Sequence, residues 1–417
     1  MFQPDRRTPR LSRFLFVASV LTATGAGAQE PPTTPAAPAA PAAERPFELY
    51  GWIQQGFTAD FDAPDDRVNF GVNFNWRSND YRLNQLYGVL ENTLEHEGRF
   101  NVAYRVDAAV GHDAPWLAAN GLFDHVTGLD PTSGVGQEGA PSYRNVNRIG
   151  FDLPQFYVDF GVPHFITSGG VDIRAGKFYT LMGREVYPAA DTDFYSRTYE
   201  NIFATPFTHT GVLATIHATG NLDVVAGLVR GWDVFEDNNG RPSWQAALIW
   251  NSTDRRFNWT TVGITGPEQV DNDENVRTLV TSYVTLKFGP EDEWLLSTGG
   301  HVGHEENAVS NPVTGAPQGA EWYACAVHLF YTVDPRVRLQ FRGEWFRDDD
   351  AARTAVLKRP GFAASFYDVT VGFTYRLREN IRVRPEARYD WTPDARPFDD
   401  QTKKSQFTTA FDVIWQF

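Results

Sequence analysis

Two runs near the C-terminus set their arginines an even number of residues apart. In RVRLQFRGEWF, Arg338 and Arg342 alternate with Val337, Leu339 and Phe341; in NIRVRPEARYDW, Arg382, Arg384 and Arg388 alternate with Ile381, Val383 and Tyr389. Arg105 in RFNVAYRVDAAV and Arg174 further along are set in similar surroundings. A guanidinium is always charged and carries a rigid fork of donors, so several on one face make a fixed positive surface. Carboxylates gather elsewhere: the stretch from Thr180 to Phe207 carries Glu185, Asp191, Asp193 and Glu200. Cations facing acids across a water-filled gap would set up a transverse field, which orders water, orients polar solutes and blocks apolar ones. The same arginines also have Asp107, Glu344, Glu386 and Asp390 close by in the chain. Paired with those, they would brace a wall instead, and both roles stand open on the residues alone.

Either role needs the arginines on one face, and a period of two supplies that on a β-strand. In RFNVAYRVDAAV, Phe100, Val102, Tyr104, Val106 and Ala108 fall on one side, with Asn101, Ala103, Arg105, Asp107 and Ala109 on the other. The final run, SQFTTAFDVIWQF, sets Phe407, Phe411, Val413, Trp415 and Phe417 against Gln406, Asp412 and Gln416. Pro385 is a blemish on the apolar face of its run, because proline weakens a paired strand. About sixteen such runs are expected, centred near Trp52, Tyr87, Tyr104, Tyr157, Arg174, Leu213, Ala226, Ala247, Thr261, Val284, Thr298, Ala326, Phe341, Val371, Pro385 and Phe411. The even-numbered connections are short, such as TGN and GPED, and the odd-numbered ones are mostly longer, which is the pattern of a barrel with two unlike rims.

Strands with one apolar and one ionic face could also build a sandwich. Aromatic residues expected near strand ends on the apolar face (Trp52, Tyr87, Tyr389, Trp391, Trp415 and Phe417) favour lipid contact instead. Within lipid every backbone N–H and C=O needs a partner inside the protein, so the sheet must close without edges. About sixteen strands enclose an aqueous channel, whereas eight would be filled by side chains. The expected fold is therefore all-β: a transmembrane antiparallel β-barrel over residues 47–417. Phe411, Val413, Trp415 and Phe417 would face lipid on the sealing strand. A terminal aromatic on such a strand resembles the signal by which the barrel-assembly machinery recognises bacterial outer-membrane proteins.

The N-terminal part agrees with export. Arg6, Arg7, Arg10 and Arg13 precede an apolar run that ends in Ala26-Gly27-Ala28, so residues 1–28 read as a secretory signal peptide. Residues 29–46 are a Pro/Ala tract without core-forming side chains, expected to be an extended periplasmic linker. The formal charge is -15, and removing the net +3 of the first 28 residues leaves -18. Such an acidic chain argues against nucleic-acid binding, which needs a basic surface. The one cysteine, Cys325, cannot form an internal disulfide and reads as a small residue on a strand.

No stretch carries a catalytic, cofactor or metal signature. GVGQEG (Gly134 to Gly139) matches a dinucleotide-loop pattern but lacks the flanking strand and helix. In HVGHEE, His301 and His304 are three apart on a strand and would face opposite ways. DNDEN (Asp271 to Asn275) lacks the glycine a calcium loop needs, and His209 in PFTHTG reads as a structural hydrogen-bonding residue.

The segment from Gly176 to Asp233 carries GKFYTLMGREVYPAADTDFYSRTY, PFTHTGVL and GWDVF, with LNQLYGVLE and PQFYVDFG upstream. Through these motifs the chain resembles the OmpL-like β-barrel porin family, β-barrel porin-2. The resemblance implies an outer-membrane porin passing small hydrophilic solutes or ions; barrels of this class are commonly homotrimers. By analogy with other porins, the third external loop would fold inward as a constriction, with Arg105, Arg174, Arg338, Arg342, Arg382, Arg384 and Arg388 facing Glu185, Asp191 and Asp193. The sign of selectivity stays open, since the acidic chain favours cations at the mouth and the arginines favour anions at the waist. The alternative is a non-conducting adhesin or receptor that binds a partner through the long second loop, about Gly111 to Leu153.

Overall fold

Sixteen antiparallel strands pair in chain order, and the last pairs with the first to close a barrel. The computed structural model describes residues 47–417 apart from 96–97, 124–148, 312–313 and 355–362. The expected signal peptide and linker, the GVGQEG stretch and most of the long second loop lie outside the described residues. The strands are β1 (Glu48–Asp60), β2 (Asp80–Asn92), β3 (Asn101–Gly111), β4 (Gly150–Val162), β5 (Val171–Tyr179), β6 (Thr208–His217), β7 (Leu222–Val229) and β8 (Ser243–Asn251). They continue as β9 (Phe257–Pro267), β10 (Val276–Phe288), β11 (Trp294–Ser310), β12 (Pro317–Asp334), β13 (Val337–Asp348), β14 (Ala364–Arg378), β15 (Ile381–Trp391) and β16 (Ser405–Gln416). Every expected strand centre falls inside a strand, and the short even-numbered turns form one rim. No helix among the described residues is long and apolar enough to cross a membrane.

Closure is made by the C-terminal strand. Trp52 pairs with Gln416, Phe57 with Phe411 and Asp60 with Thr408, and Gly51 and Phe417 exchange both backbone hydrogen bonds at 3.0 Å. No sheet edge is left, which is the condition lipid imposes. The alternation of faces follows the pleat. On β13, Leu339, Phe341 and Trp345 are exposed on the outer surface, while Gln340, Arg342, Glu344 and Phe346 between them are buried. On β16, Phe407, Phe411, Trp415 and Phe417 point outward, and Gln406, Thr408 and Asp412 point in. Phe411 sits midway along its strand, so Phe411→Arg is expected to lower the stability of the folded barrel in lipid vesicles by about 2–4 kcal/mol, as for a cation at the bilayer midplane. Urea titration of vesicle-embedded protein measures this.

Two expectations about the faces need correction. Trp52 and Tyr87 do not belong to an outer aromatic belt: both are buried inside. Their rings stack at 4.1 Å, Trp52 Nε1 donates to Gln85 and Tyr87 OH donates to Asp107. A register shift between Gln54 and Gln55 separates the two halves of the β1–β2 ladder. The inner face is also not ionic all round. Charge dominates on β13–β16 and β2–β5, whereas β6–β10 present Leu213, Val225, Ala247, Val262, Ile264 and Leu279 inward, all buried.

The reason is that loops fill the middle of the barrel and bring apolar side chains with them. Loop L1 (residues 61–79), loop L3 (residues 180–207) and loop L8 (residues 392–404) share a cluster in which Phe70, Tyr199, Phe203 and Phe398 meet the wall residues Phe346 and Phe366. A second cluster joins Phe74 and Trp76 of L1 to Tyr187 and Ala189 of L3 and to Trp52, Tyr87 and Ile414 of the wall. The loops approach so closely that two positions require glycine. A Cβ on Gly56 of β1 would stand 2.4 Å from the Tyr195 ring, and one on Gly71 of L1 would stand 2.1 Å from Tyr199, where φ is also +80°.

Candidate functional site: loop L3 at the waist of the barrel

L3 leaves β5 at Thr180, runs inside the barrel and returns at β6. Its backbone is tied to the charged wall by side chains that point inward because strand parity puts them there. Glu386 of β15 accepts from the N–H groups of Tyr195 and Ser196 at 2.9 and 3.0 Å. Glu344 of β13 accepts from those of Tyr199 and Glu200, both at 2.7 Å. The arginines take the opposite polarity. Arg382 donates to Ala189 O at 2.7 Å, Arg384 to Thr192 O at 2.8 Å, Arg342 to Ser196 O at 3.0 Å, and Arg388 to Arg197 O. A loop without regular structure inside a barrel has unpaired peptide groups, and burying those without partners is costly. The wall supplies both donors and acceptors for them.

The acids of L3 are matched individually. Glu185 accepts from Thr198 N at 2.7 Å and pairs with Arg342 at 3.2 Å, with His328 3.6 Å away. Burial would raise its carboxyl, but His328, Arg342 and Arg197 outweigh that and hold it well below the usual carboxylate range. Asp193 bridges Arg184 at 2.9 Å and Arg338 at 3.2 Å, and both guanidiniums lie against the Phe330 ring. Here too the two arginines overcome burial and lower the carboxyl. Asp191 is exposed at the loop surface. Glu200 differs from all of these: it is buried, its carboxylate meets Tyr283 OH, and burial pushes it up to about 8, reinforced by the charge of Glu185.

The sequence-derived candidates therefore divide. Arg338, Arg342, Arg382, Arg384 and Arg388 converge on L3 together with Glu185 and Asp193. They touch the loop directly, so the expected gap between cations and acids is corrected to contact: loop carbonyls and carboxylates occupy it. Arg105 and Arg174 lie elsewhere on the wall. Arg105 pairs with Asp107 at 2.7 Å and Glu91 at 2.9 Å; Arg174 pairs with Asp159 at 2.8 Å and stacks on Tyr157. Of the wall partners considered in the sequence, Asp107 and Asp390 do brace their arginines, while Glu344 and Glu386 accept from L3 backbone. Tyr195, Tyr199 and Arg197 had no assigned role from sequence, although DFYSRTY was visible as a motif. Tyr195 OH donates to Asn84 at 2.9 Å, and Tyr199 OH to Asp390 at 2.8 Å. His301 faces inward and is buried, whereas His304 is exposed outside, as their spacing requires. His209 is a hydrogen-bonding residue at the base of L3, with Gly231 O at 2.9 Å and Thr180 Oγ1 at 3.0 Å.

Comparison with known proteins agrees with this architecture. The chain is similar to the solved structure of OmpF from Salmonella typhi in complex with daunomycin (TM-score 0.56, 11% identity, covering 89% of this chain and 97% of that one). It is also similar to an anion-selective porin from Comamonas acidovorans (TM-score 0.55, 10% identity, 89% and 99% covered). The outer-membrane channel DcaP of Acinetobacter baumannii gives a TM-score of 0.54 at 10% identity, with 89% and 97% covered. At such identities the likeness is one of fold. No curated protein matches the chain by sequence. A family model covers residues 46–417, nearly the whole of the barrel and its loops, and the chain belongs to the family described as Putative beta-barrel porin-2, OmpL-like.

Proposed function

We propose that this outer-membrane porin passes small hydrophilic solutes by passive diffusion, with L3 setting the aperture. One observation carries the reading: a closed sixteen-stranded barrel holds a loop inside its waist by wall-to-loop hydrogen bonds rather than leaving it over the mouth. Beside the short turns, Asp172, Arg174, Asp223 and Arg338 keep partly exposed side chains. They give the passage an ionic entrance below L3, and Arg105, Arg382 and Asp191 add to its lining. Proteoliposomes carrying the full chain should swell in small sugars and resist swelling as sugar size increases; no swelling in any sugar would refute the reading.

Among the arginines, ions can sense Arg338, which is 33% exposed at its side chain, far better than Arg342 or Arg384, which are almost wholly buried. Arg338→Gln should therefore shift the reversal potential in a salt gradient towards cation preference. An unchanged potential would remove Arg338 from the ion path.

The remaining parts of the reading concern biogenesis. Residues 1–28 would direct export, residues 29–46 would form a periplasmic tether, and Phe411, Val413, Trp415 and Phe417 would present the insertion signal to the assembly machinery. Assembly as a homotrimer is part of the same proposal, tested by cross-linking in mild detergent.

A further inference from the structure

L3 is tethered on one side by ion pairs and backbone hydrogen bonds, and on the other side its hold rests on a carboxyl group with no arginine or lysine paired to it among the described residues. Glu200 stands at the turn where L3 meets β10, β11 and β12, with 3% of its surface exposed. Its Oε1 meets Tyr283 OH of β10 and lies 3.9 Å from His301 Nδ1 of β11, beyond hydrogen-bond reach. Neither His301 nitrogen has a hydrogen-bond partner among the described residues, and the ring is buried. The charged neighbours repel a second anion. Glu344 of β13 already accepts from the Glu200 N–H at 2.7 Å, and Glu185 of the same loop raises the Glu200 carboxyl. Arg184 acts the other way, but pairs with Asp193. Arg353, from the segment after β13, donates to Phe203 O at 2.6 Å. The adjoining contacts are apolar: Phe203 against Phe346 at 5.9 Å, and Trp322 Nε1 donating to Ala204 O at a long 3.4 Å.

We propose that Glu200 is a proton-operated catch: neutral, it seats L3 against the β10–β12 wall, and when its proton passes to lumenal water the loop leaves that wall and widens the passage. The widening rests on the porin reading above. A neutral carboxyl tolerates this apolar, anion-rich setting, whereas a carboxylate without a cation does not. Burial raises Glu200 from 4.5 to about 8. Below pH 4.5 the catch holds fully. Between there and pH 8 the released carboxyl ionises while the seated one keeps its proton, so seating weakens about tenfold per pH unit. Above pH 8 both are ionised and the effect levels off.

Two readouts on the full chain test this. In planar bilayers, the open fraction of the unaltered protein should rise between pH 5 and 8 and then flatten, while Glu200→Gln, which stays neutral, should remain at the acid level throughout. Identical pH curves for the two proteins would overturn the proposal. The second readout needs no current. With Cys325→Ser as background, Ala204→Cys places a thiol on the protected face of L3. A water-soluble thiol reagent should label it at similar rates with and without Glu200→Gln at pH 5, but at least tenfold more slowly with Glu200→Gln at pH 8. Equal rates at pH 8 would also overturn the catch. Absence of current at every pH would defeat the porin reading, and the labelling arm would still decide the role of Glu200.

Discussion

The double substitution Glu344→Ala, Glu386→Ala is expected to detach L3 from the charged wall and raise single-channel conductance several-fold. The two carboxylates accept from four loop N–H groups, those of Tyr195, Ser196, Tyr199 and Glu200. Alanine at both positions leaves these donors facing the bare wall of β13 and β15. Each buried donor without an acceptor costs on the order of 1–3 kcal/mol, so the cheapest response is for the loop to move where water can reach it. The strands stay paired, because the barrel's own ladder does not use these side chains. A step size equal to that of the unaltered protein, with the barrel shown to be folded by heat-dependent gel mobility, would mean that L3 does not limit the passage.

The largest effect on stability is expected from Arg342→Met. Arg342 is fully buried; it pairs with Glu185 and Asp368, both at 3.2 Å, and donates to Ser196 O and Thr370 Oγ1, both at 3.0 Å. Methionine fills much of the space but takes a guanidinium away from two buried carboxylates, leaving Asp368 with Arg388 at 3.4 Å, and removing one partner of a buried ion pair costs about 3–5 kcal/mol. Urea unfolding in detergent micelles measures the loss. A change below about 1 kcal/mol, the scale of an exposed pair, would show that Arg342 is solvated in the native barrel. The pH dependence adds a check. Glu185 is held below its ordinary value, so its contribution is present above about the usual carboxylate value and is lost as pH falls through the lowered one. Glu200 behaves in the opposite sense, so moderate acid should tighten L3 and only strong acid should weaken it.

Much of the barrel was legible because strand alternation is local: two residues apart is the same face, whatever the rest of the chain does. That is why Arg342, Glu344, Arg384 and Glu386 could be placed indoors from their neighbours alone. Trp52 and Tyr87 depart from the expectation that aromatics near strand ends face lipid: Trp52 shares its parity with the buried Gln54, Thr58 and Asp60, and on β2 the alternation changes phase between Asn84 and Gln85, at the register shift with β1, so both rings turn inward to stack. What L3 does at the waist was less accessible. Glu344 meets Tyr199 across 145 residues of chain, and Glu386 meets Tyr195 across 191. No periodicity reports on contacts of that range. At L3 the arginines and acids touch for a physical reason: a loop brought inside must satisfy its peptide groups, and the nearest charged side chains are drawn into doing so. Glu200 looked like one more loop acid in the sequence. Its setting is defined by Tyr283, His301 and Glu344, on three different strands.

The most direct measurement is planar-bilayer recording of the refolded full-length barrel in symmetrical salt at pH 8. Discrete, ohmic steps that persist at low voltage are expected from a water-filled passage beside L3. Membranes that stay sealed, while gel mobility shows the barrel inserted and folded, would contradict the account.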